Sequence, residues 1–439
     1  MDNKSAPITI IGGGAFGLST ALELSNKGYS DITVFEKDEQ IPSRWSAAND
    51  LNKIMRAEYE DHFYTELAVE ATNAWKTPLY APYFHRVGYL NCVTGAAPQK
   101  AADTMRRFQA AAARHPEIQP YLYEMTGPDD IRNTAGAWQF TGELPGWKGY
   151  FCKYDGYVYS ANALRGIYRE CRKNGVRFFL GEKVGAVDRI VYEKHGLQRK
   201  SVGVQTKAGR FHAAALTIVT VGAAAHKIVP ELGREVSAKS WSVAHVCLTD
   251  EETAALRGIP VTYARDLGFF FEPDPGTNLL KLCPMGGGFV NTNPDTGVSE
   301  ALENIIRNVP KEDERKMREL LRQTLPYLAD RPLVQKFICW FADTEDSDFV
   351  IDYVPDTSST VMILTGDSGH GFKMFPIVGR WVDNLLNEPN GQQSIKRWRW
   401  RTPKPKAEGE SFLDEVSWRI GDVQEIRDVF EEAPITSKL

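Results

Sequence analysis

No run of about 18 apolar residues occurs in this chain, so it offers no membrane-spanning helix. It also lacks a C-x-x-C pair. Its six cysteines (Cys92, Cys152, Cys171, Cys247, Cys283 and Cys339) are scattered, which signals neither a zinc site nor a disulfide framework and fits a reducing compartment. Excess positive charge is missing as well: 52 Lys and Arg stand against 57 Asp and Glu, a formal charge of −5. Phosphate backbones are held by clustered basic residues, so nucleic acid is excluded as a partner. No basic region followed by an apolar stretch opens the chain, which argues against secretion. What the chain has is length. Its 439 residues, 42% hydrophobic and 25% charged, suit two or three soluble domains with a sizeable core, with a monomer as the default state.

The first motif comes early. Ile8-Thr9-Ile10-Ile11 has the composition of a buried strand, Gly12-Gly13-Gly14-Ala15-Phe16-Gly17 that of a tight turn, and Leu18 to Lys27 has helical spacing. Gly12, Gly14 and Gly17 fill the G-x-G-x-x-G positions: the turn, close approach of a pyrophosphate, and helix against strand. The helix N-terminus would then face the phosphates with free N–H groups. A second strand, Ile32-Thr33-Val34-Phe35, ends at Glu36, nineteen residues past Gly17, where a carboxylate can accept both ribose hydroxyls and would repel a 2′-phosphate. Strand, helix and acid together indicate a dinucleotide site, without separating FAD from NAD.

Beyond it, residues 63–76, 99–114, 157–173 and 311–325 have helical periodicity, whereas Trp138 to Tyr159 is rich in aromatics and glycine. Apolar runs at Val176–Leu180, Val202–Thr206 and Leu216–Val221 read as strands, as do Ser242–Leu248, Phe269–Glu272 and Leu279–Leu282. Near the end, Val361–Leu364 leads into Gly366-Asp367-Ser368-Gly369-His370-Gly371-Phe372-Lys373 and a helix from Ile377. Segments of nucleotide-domain type therefore lie at the start, middle and end, with an antiparallel sheet capped by helices built from what lies between. Lys53 and Arg56 lie three apart and would share a side on a helical turn.

Four motifs in order, Gly12–Gly17, Asp50-Leu51-Asn52-Lys53-Ile54-Met55-Arg56-Ala57-Glu58-Tyr59, Cys339-Trp340 and Gly366–Lys373, resemble the fungal fructosyl amino acid oxidases, or amadoriases. These group with monomeric sarcosine, pipecolate and saccharopine oxidases. The likeness runs from Ile8 to about Leu386. It implies a Rossmann-type FAD-binding domain (α/β) made of 1–60, 151–235 and 335–400, interleaved with an antiparallel-sheet substrate domain (α+β) made of 61–150 and 236–334. Residues 401–439 are left as a surface tail. It also implies FAD tethered as a thioether to Cys339, a residue that burial statistics alone would assign to packing. The expected cofactor contacts are Gly12, Gly14, Ala15, Phe16, Gly17, Glu36, Lys37 and Ser46, then Asp367, Gly369, Gly371, Phe372 and Lys373 in the second Gly-rich turn.

By the same resemblance Lys53 lies at the flavin face and assists oxygen, because a cation there meets negative charge developing on O₂. Lys373 holds the substrate carboxylate, with apolar Phe372 and Met374 on either side weighing against a solvated surface lysine. Arg56, Tyr59 and Met285 complete the expected substrate contacts. For Arg56 an ion pair with Glu58 or Glu60 is an equal alternative, and for His370 a structural hydrogen bond within its turn competes with a tuning role. No metal is called for.

One segment departs from the family. After Lys281-Leu282-Cys283, amadoriases usually continue Asp-Glu-Phe-Pro-Gly, whose glutamate binds the sugar; here the chain reads Pro284-Met285-Gly286-Gly287-Gly288, a flexible apolar turn. Losing that acceptor should cost several kcal/mol of sugar recognition. The expected activity is therefore oxidation of an N-substituted amino acid at a carbon beside its secondary amine, giving an imine and, from O₂, H₂O₂. Alternatives are saccharopine- or pipecolate-like substrates, an oxidative ring closure yielding an alkaloid-like amine, and a non-catalytic flavoprotein or NAD-binding module. Ser437-Lys438-Leu439 matches the tripeptide read by the peroxisomal import receptor, which places the protein in the peroxisome.

Overall fold

Strands covered on both faces read as unbroken apolar runs, and those at the start, middle and end of the chain meet in one sheet. The computed structural model describes residues 3–233, 235–401 and 419–430, so the C-terminal tripeptide lies outside the described residues. Six strands follow the order Val350–Tyr353, Val361–Thr365, Leu216–Val219, Ile8–Ile11, Ile32–Glu36 and Arg177–Leu180. All neighbours are parallel except the first pair. Ile8, Ile10 and Ile218 pack with helices Ala15–Asn26, Ser160–Lys173 and Val378–Leu386 on one face. Ile11, Phe35, Val219 and Ile363 turn to the other, beneath a three-stranded meander, Val187–His195, Gln198–Thr206 and Phe211–Ala213.

A second, ten-stranded sheet is built largely from the intervening segments. Its centre is Ser237–Cys247, which pairs antiparallel with Leu279–Pro284, Phe289–Val290 and Leu333–Asp343. Beyond Leu279–Pro284 follow Gly268–Phe270, Val261–Ala264, Tyr89–Val93, Lys148–Cys152 and Leu122–Met125. The pairing is antiparallel except between Val261–Ala264 and Tyr89–Val93 and at the Gln424–Glu425 edge. Helix Lys311–Thr324 buries Met317, Leu320 and Leu321 against Leu280, Leu282 and Phe270, each burial being worth about 1.5–3 kcal/mol. A small sheet of Lys53–Met55, Gly156–Val158 and Phe84–His85 lies where the chain passes between the two large ones.

Three expectations change. The stretch around Lys53 is a strand rather than a helical turn, so i, i+3 spacing does not align Lys53 with Arg56. The boundary at 335 falls inside strand Leu333–Asp343, which pairs with Ser237–Cys247; the chain rejoins the parallel sheet only at Val350. Cys339 therefore belongs to the second sheet. Finally, 401–439 is not all surface tail: Arg419 and Ile426 are buried, and Gln424–Glu425 adds an edge strand beside Phe289–Val290. That return also explains the Gly286–Gly288 turn, because a Cβ at Gly287 would stand 2.1 Å from the Asp422 carbonyl oxygen. The turn is a packing surface held by backbone contact, not a flexible loop.

Candidate active site

A cavity of about 980 Å³ is lined from both sheets. At its parallel-sheet end Gly12 has φ +107°, a region that favours glycine, and a Cβ there would meet the Thr220 carbonyl oxygen at 2.6 Å. A Cβ at Gly17 would lie 1.9 Å from Gly12 O, so this residue packs helix on turn and does not line the cavity. Gly14 differs: the nearest atom to its Cβ would be Ser46 Oγ at 3.7 Å, which leaves room for a group to approach the backbone. Glu36 is buried, and its two carboxylate oxygens each accept one backbone N–H, from Gly13 and Asp38, both at 3.0 Å. Burial raises its pKa, against the pull of those N–H groups. Ala15, Phe16, Lys37 and Ser46 line the same end, with Lys37 Nζ 4.6 Å from the Trp45 ring centroid.

Midway along the cavity lies a buried ion cluster. Asp50 accepts from Lys53 Nζ at 2.6 Å and from Lys281 Nζ, and Lys281 also donates to Asn52 O at 2.7 Å. Burial opposes ionisation of Asp50, yet Lys281 and Lys53 hold its carboxyl well below the ordinary range. Burial opposes the charge on Lys53 as well, by lowering its pKa, and Asp50 outweighs it to raise the pKa and keep the ammonium charged. One carboxylate thus serves two ammonium groups, and both lysines line the cavity. Cys339 lines it too, with Sγ 3.8 Å from Ala47 O; burial raises its pKa, and Lys53 lowers it.

Arg56 and Lys373 form a second cationic group. Lys373 is buried, not solvated, and donates to the Tyr59 hydroxyl at 2.9 Å. Burial, reinforced by Arg56, pushes its pKa well below the usual value. Arg56 donates to the backbone oxygen of Glu58 and lies over the Tyr59 and Phe108 rings at 4.6 and 4.8 Å. Neither expected ion pair forms: Glu60 bonds Arg107 instead, and the Glu58 carboxylate faces elsewhere. Tyr59, expected to touch substrate, stands behind the wall, fully buried. His370 bonds the Ser347 carbonyl at 2.9 Å and the Tyr59 hydroxyl at 3.0 Å, partners outside its own turn. Burial and Lys373 lower its pKa to about 3, so it is neutral at neutral pH.

The second Gly-rich turn brings Asp367, Gly369 and Phe372 to the wall, whereas Gly371 packs against Asp367 and Phe16. Burial lifts the Asp367 pKa to about 6. Across from these lie Ile54, Tyr263, Phe269, Phe271 and Met285, an apolar and aromatic surface. Arg419 also reaches the wall: it pairs with Asp343 and donates to Ser347 Oγ at 2.7 Å, and its Nη1 has no partner among the described residues. Sequence reasoning gave no role to Asp50, Lys281 or Arg419. A charged residue inside the apolar run Leu279–Cys283 was the available signal for Lys281; the returning segment around Arg419 carried none.

Comparison with known proteins agrees with this geometry. The FAD dependent oxidoreductase family matches residues 7–385. Fructosamine oxidase (amadoriase II) from Aspergillus fumigatus superposes with a TM-score of 0.87 at 31% identity, covering 100% of this chain and 99% of that one. L-saccharopine oxidase of Schizosaccharomyces pombe is 31% identical over 94% of this chain and 96% of its own length. Peroxisomal sarcosine oxidase of Mus musculus is 25% identical over 86% and 90%.

Replacing Asp50 by Asn should leave two buried ammonium groups without their counter-charge and lower stability by about 3 kcal/mol or more. Its folded pKa lies below its unfolded value, so its contribution is complete above about pH 5 and fades as pH falls through the depressed range. Thermal melts of wild type and Asp50→Asn should therefore differ most at neutral pH, the gap beginning to narrow only below about pH 4 and closing as pH falls through the depressed pKa of Asp50.

Proposed function

The chain belongs to the FAD dependent oxidoreductase family, and from that premise we propose that it oxidises N-substituted, secondary-amine amino acids to imines, reducing O₂ to H₂O₂. The observation carrying this reading is the pair of cationic groups on one cavity, Arg56 with Lys373 and Lys53 with Lys281. The first suits a substrate carboxylate, the second a reaction that places negative charge on oxygen.

The residues present fit FAD. The open approach over Gly14, the N-terminus of helix Ala15–Asn26 and the Glu36 carboxylate suit a pyrophosphate and a ribose. Bound there, FAD would supply the two-electron chemistry: acceptance of a hydride equivalent from the carbon beside the amine, whose nitrogen loses its proton to leave the imine, and transfer of both electrons to O₂. The chain's own residues orient and balance charge. Arg56 and Lys373 fix the carboxylate, and the buried tyrosine and histidine behind Lys373 hold its position. Lys53 and Lys281, sharing one carboxylate, leave a net positive charge where oxygen becomes negative. Water then hydrolyses the imine.

Cys339 at the cavity wall supports the thioether link to the flavin. Mass spectrometry of the denatured protein should find FAD added to the peptide containing Cys339, and Cys339→Ser should hold the flavin loosely or not at all. Unmodified peptide, with all flavin released, contradicts the link. A peroxisomal location is supported by Ser437-Lys438-Leu439 and by the mouse relative.

The missing glutamate and the wall of Tyr263, Phe269, Phe271 and Met285 favour an apolar substituent on nitrogen. A second reading rests on Arg419, whose spare donor suits a further carboxylate, as in a saccharopine-like substrate. A peroxide-coupled screen should give a higher kcat/KM for an apolar N-substituted amino acid than for fructosyl-valine, and Lys373→Met should depress both. Preference for saccharopine selects the second reading. Clear preference for fructosyl-valine means that another group replaces the lost acid.

A further inference from the structure

Two buried carboxylates stand behind the Arg56 and Lys373 site. Glu58 Oε1 accepts from the Tyr150 hydroxyl at 2.9 Å, and its Oε2 has no hydrogen-bond partner among the described residues. Asp155 Oδ1 accepts from the Ala57 N–H at 2.9 Å, and its Oδ2 is likewise without a partner. Both side chains are essentially inaccessible. Together with Cys152 they present polar atoms within 4.8 Å of one another.

Two adjacent carboxylates in a dry site cannot both remain ionised at low cost, and a single proton between Oε2 and Oδ2 satisfies both orphan atoms at once. A metal ion could also fill the gap. Yet the Arg56 guanidinium already supplies positive charge nearby, and burial pushes the Cys152 thiol up, away from the thiolate a metal needs.

We propose that Glu58 and Asp155 share one proton and act as a single fixed negative charge behind Arg56 and Lys373, setting the pH range in which the site accepts a carboxylate. This rests on the reading of Arg56 and Lys373 given above. The remaining ionisable neighbours are Tyr59 on the same segment, Tyr89 and Tyr150 on the sheet, Tyr154 beside Asp155, and Lys76 and His370. Burial keeps the tyrosines and His370 neutral at pH 7. The pair's one charge balances Arg56, and burial together with Arg56 disfavours the charge on Lys373 in the absence of ligand. An entering carboxylate then draws one proton from solvent onto Lys373 Nζ. Affinity is full below the pKa of Lys373 in the free protein and is lost as pH rises toward its higher value in the complex.

Infrared spectra of the resting holoenzyme should show the carbonyl stretch of a protonated carboxylic acid, absent in Asp155→Asn and in Glu58→Gln. Acetate serves as the carboxylate probe, read by flavin absorbance. In Asp155→Asn an amide N–H replaces the shared proton and the single charge stays, so the alkaline limit of acetate affinity should be retained. The double variant Glu58→Gln/Asp155→Asn removes the charge and should move that limit down by about one pH unit or more. Absence of the band, a stoichiometric metal in elemental analysis, or a limit shifted as far in Asp155→Asn as in the double variant overturns the shared proton. A band present with acetate affinity untouched in Lys373→Met overturns instead the carboxylate site, and the pH role with it.

Discussion

The arrangement depends on one buried carboxylate. Asp50, on the segment after strand Ile32–Glu36, meets Lys281 from strand Leu279–Pro284 of the second sheet, while Lys53, three residues on, closes on the same oxygen. Two ammonium groups in a low-dielectric wall repel each other and lose hydration. Without Asp50 the charge on Lys53 would stand buried beside Cys339 with no counter-charge. The contact ties the segment between Glu36 and Lys53 to strand Leu279–Pro284 on the cavity wall, so local stability and the electrostatics of the site have a common origin.

From this junction the cavity is polarised along its length. Backbone N–H groups and Glu36 shape the end proposed for the nucleotide, the Asp50 cluster the middle, and Arg56 with Lys373 the end proposed for the substrate. Unlike Lys53, Lys373 has no carboxylate in direct contact among the described residues; it bonds a neutral tyrosine hydroxyl and sits near Arg56. The two lysines therefore have opposite pKa directions in one cavity, raised at Lys53 and lowered at Lys373. That difference separates a permanent cation from one completed by an anionic ligand.

Local features were legible in the sequence. A strand, a glycine turn, a helix and an acid at fixed spacing encode the nucleotide end because each acts on its immediate neighbours. The family motifs brought Cys339 and Lys373 forward, and both reach the cavity. Contacts across long separations left no periodic trace: Lys281 meets Asp50 across 231 positions, and Asp155 reaches the Arg56 segment across 98. Strand Leu333–Asp343 was not read from the sequence, and a domain boundary set at 335 cut through it, because its long-range pairing with Ser237–Cys247 leaves no local pattern. Likewise the glycines after Met285 looked like freedom, whereas they answer to a backbone returning from beyond residue 418.

The account turns on division of labour between the two cationic groups, and the two half-reactions separate them. In stopped-flow measurements, Lys53→Met should reoxidise with O₂ much more slowly than wild type while anaerobic reduction by the amine changes little. Equal slowing of both steps contradicts the account and returns Lys53 to a structural or substrate-binding role.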